Sequence, residues 1–213
     1  MFTAAPFVVA AVLVTIVAFA ADRAVLTDGN DARGVLDVHQ VKFSRDDGQP
    51  PEWKVVTFAP WDVPTLWDRG HVFVYLDTAG GEPAEYAAIV RSDGKRLLGS
   101  LLQLAKTPGG TDRAVAQLAV WRANARSVSL RFPLWKMTFG PSRIFFRWWV
   151  VTTFQTRSCP GGCIDRVPNG GAQLQYRPGM SPTPSPTPSP TPSPTPSSTP
   201  TPTDTSTAAQ PPP

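Results

Sequence analysis

The sequence predicts an all-β fold class, a single antiparallel β-sandwich of about eight or nine strands. Three observations lead to this prediction. Short runs rich in β-branched and aromatic residues recur through the middle of the chain, turn signals containing Gly, Pro or Asp-Gly separate them, and no stretch there has the length and period of a long helix. The predicted sandwich occupies residues 22–179, which is enough chain to bury a core. An apolar segment, residues 1–21, precedes it, and a tail, residues 180–213, follows it.

The N-terminal segment has the character of an export signal or a membrane anchor. Residues 2–21 carry no charge, and about 20 apolar residues in a helix can cross the hydrocarbon core of a bilayer. Ala18-Phe19-Ala20 fits the small-x-small pattern that signal peptidase accepts. A cleaved signal peptide and a retained anchor helix therefore both stay open. Either would place the body outside the cytoplasm, with membrane contact only through residues 2–21 if they are uncleaved.

The C-terminal tail has almost nothing to bury. From Ser181 to Pro213, 13 of 33 residues are Pro and 16 are Ser or Thr. This composition favours polyproline II and predicts a disordered tail whose hydroxyls are candidate glycosylation sites. A solvated tail and a stalk that threads through cell-wall polymer are the two interpretations, and we favour the first.

The strands can be assigned in chain order. Residues 35–45 and 52–59 form the first two, and Pro60 and Pro64 then predict a loop or a single helical turn. Residues 71–78 alternate sharply and pair with residues 84–92, and Asp93-Gly94 turns the chain into residues 96–104. Residues 114–123 are assigned as a strand instead of a helix because their neighbours are strands. The remaining elements are strands over 127–134, 143–156 and 172–176, with a helical turn after Pro133.

The charge of the chain argues against a nucleic-acid partner. The formal net charge is +4, and the Lys and Arg residues are scattered instead of forming a basic run. Such a diffuse excess is compatible with weak, unspecific attraction to anionic polymers of the cell envelope.

The two cysteines, Cys159 and Cys163, flank Pro-Gly-Gly and could be a metal site, a redox pair or a disulfide. Structural zinc needs four ligands, and thioredoxin-like redox pairs have two intervening residues. An exported domain is exposed to oxidising conditions, so we expect a disulfide. It would fix the loop that presents Asp165, Arg166 and Asn169.

That loop and two adjacent tryptophans are the candidate ligand-binding residues. Asp165 and Asn169 could contact a ligand together with Arg166, although Asx residues beside Pro and Gly more often cap turns, and we favour capping. Trp148 and Trp149 must point to opposite faces of a regular strand, so one of them is exposed or lies at a second buried surface.

Two segments, "HVFVYLDTAGGEPAEYAAIVR" and "RWWVVTTFQTRSCPGGCIDRVPNGG", carry a resemblance. The chain resembles, over residues 34–176, the exported β-sandwich domains of unknown function common in actinobacteria. More remotely it is similar to DOMON-like domains and to family-9 carbohydrate-binding modules. The resemblance implies a fold more securely than a function. In the relatives the acidic turn often reads like a calcium loop; here Asp77, Glu82 and Glu85 remain as ligands. A structural calcium ion is thus the alternative to an ordinary hairpin turn, which we favour, and no other cofactor is expected.

The expected function is that of a non-catalytic binding module, secreted or held in the cell envelope. No nucleophile elbow or metal motif accompanies His39 or His71, so an enzyme is not predicted. Cell-wall polysaccharide is the first expected partner, because of the seven tryptophans and the remote resemblance. An envelope protein, contacted by an interaction or structural component, is the alternative, and a hydrolase is the third interpretation.

Overall fold

A computed structural model describes residues 18–20, 22–46, 48–80, 83–139, 145–157 and 159–176, with only the backbone of residues 18–20. The chain divides into two units, Met1–Thr183 and Pro184–Pro213, and the second lies wholly outside the described residues. The predicted disordered tail and most of the predicted export or anchor segment also lie outside them. Among the described residues, no helix has the length and apolar character needed to span a bilayer.

The described residues form twelve strands and two short helical turns. The strands are β1 (Ala18–Ala20), β2 (Arg23–Thr27), β3 (Val38–Ser44), β4 (Glu52–Thr57), β5 (Gly70–Asp77), β6 (Tyr86–Ser92), β7 (Leu97–Gln103), β8 (Arg113–Trp121), β9 (Ser127–Arg131), β10 (Phe146–Thr156), β11 (Cys159–Val167) and β12 (Leu174–Tyr176). The turns are α1 (Val63–Leu66) and the 3₁₀ turn η1 (Leu134–Lys136). Both helical turns fall where the prolines predict them. Asp62 caps α1, since its Oδ1 accepts a hydrogen bond from the backbone N–H of Thr65 at 2.8 Å.

One continuous sheet contains all twelve strands, in the order β1-β12-β10-β5-β6-β7-β8-β9-β4-β3-β2, with β11 paired to β10 beside that path. The pairings are antiparallel except for β1 with β12, which is parallel. The all-β class and the antiparallel pairing are therefore confirmed.

The sheet is near-closed and barrel-like, whereas the sequence predicts a sandwich of two separate sheets. Strand β8 explains the difference. Its first part pairs with β7 and its last three residues, Ala119–Trp121, pair with β9. Strand β8 therefore joins the part of the sheet that contains β5, β6 and β7 to the part that contains β9, β4, β3 and β2. A register shift between Leu101 and Leu102 leaves Val115 without a direct partner residue, and such bulges bend a strand.

Nine of the twelve strands match predicted ones, and three were not foreseen. Strand β1 includes the end of the segment expected to be an export or anchor helix. Strand β2 is a short edge strand with alternating exposed and half-buried residues, so its burial signal is weak. Strand β11 occupies the predicted cysteine loop, because residues 163–167 continue the ladder to β10 beyond the glycines.

An aromatic cluster fills the space inside the curved sheet. The Phe43 ring lies 4.8 Å from Trp53, 5.6 Å from Trp148 and 5.3 Å from Tyr176, measured between ring centroids. Trp53 stacks on Phe132 at 4.7 Å with the two planes 4° apart. All five side chains are almost completely buried. They come from β3, β4, β10 and β12 and from the residue after β9, so the cluster joins distant parts of the sheet, and truncating one such ring typically costs about 3–5 kcal/mol.

Gly99→Ala tests the close packing of β7 against β8. A Cβ atom at position 99 would lie 2.3 Å from Cγ2 of Val120 and 2.9 Å from Cβ of Leu118, both on short, stiff parts of their side chains. We expect the substitution to lower the free energy of unfolding by about 1–3 kcal/mol in urea denaturation. Gly161→Ala is the control, because no atom lies within 4 Å of its added Cβ, and it should change stability by less than about 0.5 kcal/mol. Equal effects of the two substitutions would contradict this account.

Candidate functional site

The site begins where β10 and β11 meet the segment leading into β3. Thr152 and Asp165 are cross-strand partners on β10 and β11, and both are buried. The Thr152 hydroxyl donates a hydrogen bond to the carbonyl of Leu36 at 2.6 Å, and the backbone N–H of Val38 donates one to Asp165 Oδ2 at 2.6 Å. The two side chains therefore provide hydrogen-bond partners for one carbonyl and one N–H of the segment that leads into β3. Because a buried, unpaired backbone group is costly, this pair fixes the segment against β10 and β11.

Asp165 is also the buried member of a carboxylate cluster, which we call the acidic cluster: Asp28, Asp31 and Asp165. Each of the three contributes one oxygen, and these oxygens all lie within 4.8 Å of one another. Asn169 lies beside them, and its amide donates hydrogen bonds to Asp28 Oδ1 at 2.7 Å and to Asp31 Oδ2 at 3.2 Å. The cluster thus joins the segment between β2 and β3 to β11 and the turn that follows β11.

The local fold of the β2–β3 segment brings its aspartates to this place. The N–H of Asp28 donates to the carbonyl of His39, which continues the pairing of β2 with β3. Gly34 has a φ of 115°, a left-handed conformation in which a side chain would be strained, and its Cα lies close to the ring of Phe154. The chain can therefore pass close to β10 between Asp31 and the start of β3.

Burial and mutual repulsion raise the pKa values in the cluster. Burial is the largest cause for Asp165 and raises its pKa to about 7, although the Val38 N–H favours the charged form. The charges of Asp28, Asp37 and Asp31 raise the pKa of Asp165 further. Burial also raises the pKa of Asp28 and that of Asp37, a buried residue on the same segment. Chemically, the arrangement can hold a proton or a cation among four carboxylates.

The other residues predicted for this loop lie elsewhere. Arg166 faces away from Asp165, and its guanidinium lies 4.9 Å above the ring of Trp149. Trp149 is only 6% exposed and stacks on Tyr75 at 5.4 Å, so it lies at a second buried surface on the outside of the sheet. Trp148 belongs to the core. The structure therefore brings Asp165 and Asn169 together and separates them from Arg166, Trp148 and Trp149.

The acidic hairpin turn uses its carboxylates to bind its own backbone. Asp77 Oδ1 accepts hydrogen bonds from the N–H groups of Gly80 at 2.6 Å and Ala79 at 3.2 Å. Glu85 Oε2 accepts from the N–H of Thr78 at 2.7 Å. This pattern is that of a self-capped turn, the interpretation that the sequence favours over a calcium loop. Glu82, the third proposed calcium ligand, lies outside the described residues.

The two cysteines lie near each other as free thiols, so the structure does not contain the predicted disulfide. Cys159 pairs with Thr156 and Cys163 with Phe154, so Pro160, Gly161 and Gly162 on β11 face the single residue Gln155 on β10. This bulge, and not a free loop, brings the cysteines close. Burial raises the pKa of the Cys163 thiol, and the neighbouring Cys159 thiol raises it further.

Sequence reasoning missed the partners of Asp165. Asp28, Asp31 and Asp37 belong to the stretch "TDGNDARGVLD", in which three aspartates recur among glycines and other polar residues just before a strand. That density of acidic residues was the available signal. The stretch lies more than a hundred residues before Asp165, however, and only the sheet order shows that the two meet.

Comparison with known proteins does not assign this arrangement to a family. No protein-family model matches the chain, and no curated protein or solved structure matches it significantly.

Thr152→Val tests the side-chain hydrogen bond to the β2–β3 segment. Valine keeps the shape of threonine but cannot donate to the Leu36 carbonyl, which then stays buried without its donor. We expect a loss of about 1–3 kcal/mol in the free energy of unfolding. Thr153→Val, on the opposite face of the same strand, is the matched control and should change stability by less than about 0.5 kcal/mol. If both variants unfold at the same urea concentration as the parent chain, the hydrogen bond makes no net contribution to stability.

Asp165→Asn tests the electrostatics of the acidic cluster. Because the pKa of Asp165 is about 7 in the folded chain and 3.8 ordinarily, the folded state holds an extra proton between these values. This group's contribution to stability is complete below its ordinary pKa and disappears as the pH rises toward 7. In buffer free of divalent cations, the parent chain should therefore lose stability relative to Asp165→Asn as the pH is raised from about 4 to about 8. If the free energy of unfolding, measured by urea denaturation, changes with pH in the same way for the two proteins, the pKa of Asp165 is not raised in the folded chain.

Proposed function

We propose that the chain is a non-catalytic binding module of the cell envelope, exported from the cytoplasm, that recognises acidic polysaccharide. The single observation that carries the proposal is Trp135, which is 75% exposed and lies on η1 beside a shallow groove. A large aromatic ring left in water at the rim of a groove suits contact with a ligand better than it suits packing.

The composition of the groove is suited to a sugar chain. It encloses about 310 Å³ and combines apolar residues with polar ends, and its lining is Arg45, Gly48, Gln49, Pro50, Pro51, Pro133, Leu134 and Trp135. The flat ring of Trp135 can stack on the C–H face of a pyranose ring, while Gln49 can hydrogen-bond to hydroxyl groups. The prolines fix the backbone on both sides, so little conformational entropy is lost when a ligand binds.

One cation beside the ring and a second that lines the groove favour an acidic ligand over a neutral one. The ammonium group of Lys136 lies 4.3 Å from the centre of the Trp135 ring, and Arg45 lines the groove. The Arg45 guanidinium also donates to the hydroxyl of Tyr176 in β12, which holds its orientation. Carboxylate or phosphate groups on the polymer would complement these charges, in keeping with the net positive charge of the whole chain.

Several expectations from the sequence form part of this proposal. They are the export signal, the location in the envelope and the sandwich-like arrangement that relates the sheet to carbohydrate-binding sandwiches. The resemblance to such modules supports the choice of a carbohydrate. The exposed position of Trp135 supports the choice of this groove over the covered ring of Trp149.

Trp135→Ala provides the test of function. The parent chain should be retained on purified cell walls and on an acidic polysaccharide, and should bind a neutral polysaccharide of similar length less strongly. Removing the ring should weaken retention at least about tenfold, a change of about 1.4 kcal/mol in binding free energy. Added salt should weaken binding of the parent chain to the acidic polymer.

Trp67→Ala is the matched control, since Trp67 is 57% exposed and does not line the groove. It should leave retention unchanged. No retention of the parent chain on any polysaccharide would overturn the proposal. Equal losses in the two variants would show that exposed aromatic surface, and not this groove, causes the retention. Crosslinking to one protein partner in intact cells, without polysaccharide binding, would favour the alternative of a protein-interaction component.

A further inference from the structure

The acidic cluster collects negative charge from parts of the chain that lie far apart in sequence. Asp28 and Asp31 precede β3, and Asp165 belongs to β11, yet their nearest oxygens lie within 4.8 Å of one another. Apart from burial and the hydrogen bond from Val38, the largest effects on the pKa of Asp165 come from the negative charges of Asp28, Asp37 and Asp31. Bringing like charges together at such distances is unfavourable unless a proton or a cation compensates for them.

A second observation concerns hydrogen bonding and is independent of the cluster's composition. Asp37 is only 4% exposed, and its Oδ1 has no hydrogen-bond partner among the described residues. Its carboxylate interacts electrostatically with Asp28, Asp31 and Asp165, so it lies near the same cluster. Buried carboxylate oxygens normally have donors or metal ions as partners, so an unpartnered Asp37 oxygen beside the cluster points to a cation.

We propose that Asp28, Asp31 and Asp165 bind a divalent cation of the calcium type, with Asp37 supplying further negative charge behind them. The ligands are hard carboxylate oxygens, with no nitrogen or sulfur ligand in the cluster, which excludes a zinc preference. Calcium holds its ligands at about 2.4 Å, so two ligands on opposite sides of the ion lie about 4.8 Å apart. Magnesium needs about 2.1 Å and a stricter octahedron, which three separately anchored aspartates satisfy less readily.

The ion would act as a structural link. Two of its ligands stand on the β2–β3 segment and one on β11, which are joined otherwise by the Asp165–Val38 hydrogen bond and the Asn169 amide. Asp31 is exposed, so the ion has a route from solvent and can complete its coordination with water. This site is separate from the Trp135 groove and does not depend on polysaccharide binding.

The experiment measures calcium binding by the full chain after removal of divalent cations with a chelator. Titration calorimetry with CaCl2 should show one site, with a Kd in the range of extracellular calcium modules, about 0.1–1 mM. At about ten times the Kd, calcium should raise the Tm, followed by tryptophan fluorescence, by about 3–6 °C. Magnesium at the same concentration should give a smaller rise.

Asp31→Asn and Asp28→Asn should each weaken calcium binding at least about tenfold and abolish the rise in Tm. Asp31 is exposed, so Asp31→Asn should fold and, in chelator, should unfold at the parent temperature or above it, because it removes repulsion. Asp46→Asn, at another exposed aspartate, is the control and should bind calcium as the parent chain does. The proposal is overturned if calcium up to about 10 mM gives neither heat nor a shift in Tm. It is also overturned if Asp31→Asn responds to calcium as Asp46→Asn does.

Discussion

The structure depends on how the segment that leads into β3 is attached to β10 and β11. Strand β3 and strand β11 approach each other without forming a ladder. There the cross-strand pair Thr152 and Asp165 supplies a hydroxyl donor and a carboxylate acceptor to the carbonyl of Leu36 and the N–H of Val38. A neighbouring strand would offer one donor and one acceptor in the same way. The two side chains therefore bind this segment to β10 and β11 through its backbone.

This arrangement buries a carboxylate, and burying its charge costs free energy. Asp165 must be buried to reach Val38, and burial raises its pKa because the charged form loses its hydration. The neighbouring aspartates add to the cost instead of relieving it, while Asn169 donates to two of them from the rim. A fold that only needed an acceptor for one N–H could have used a neutral side chain. The surplus of negative charge is therefore the feature that the hydrogen bonds alone do not explain.

The sequence predicted elements much better than it predicted contacts between them. Alternation along β4 and β5 and the Asp93-Gly94 turn are local signals, and the strands they predict are present. Strand β2 was missed because an exposed edge strand has no strongly apolar face, and β11 because its glycine bulge reads locally as a loop. The continuity of the sheet through β8 depends on one register shift, which leaves no trace in composition.

The candidate site shows the same division between local and long-range information. Asp165 and Asn169 could be selected from the chain because they share one short motif, and they do lie together. Their partners could not be selected in this way, because only the order of the strands in the sheet shows that Asp28 lies beside Asp165. The sequence could not predict that the Trp149 ring is covered. Alternation shows that Trp148 and Trp149 face opposite ways, but only the structure shows that Tyr75 and Arg166 lie over the Trp149 ring.

The strand order also has a consequence for how the chain folds. Strands β5 to β9 form a meander in which every strand pairs with the next one along the chain, and β2 to β4 form a shorter meander. Both can assemble through short loops, whose closure costs little entropy. The pairings of β4 with β9 and of β5 with β10 join residues far apart in the chain and must wait for those units. We therefore expect the slow step of folding to be the docking of two preformed meanders.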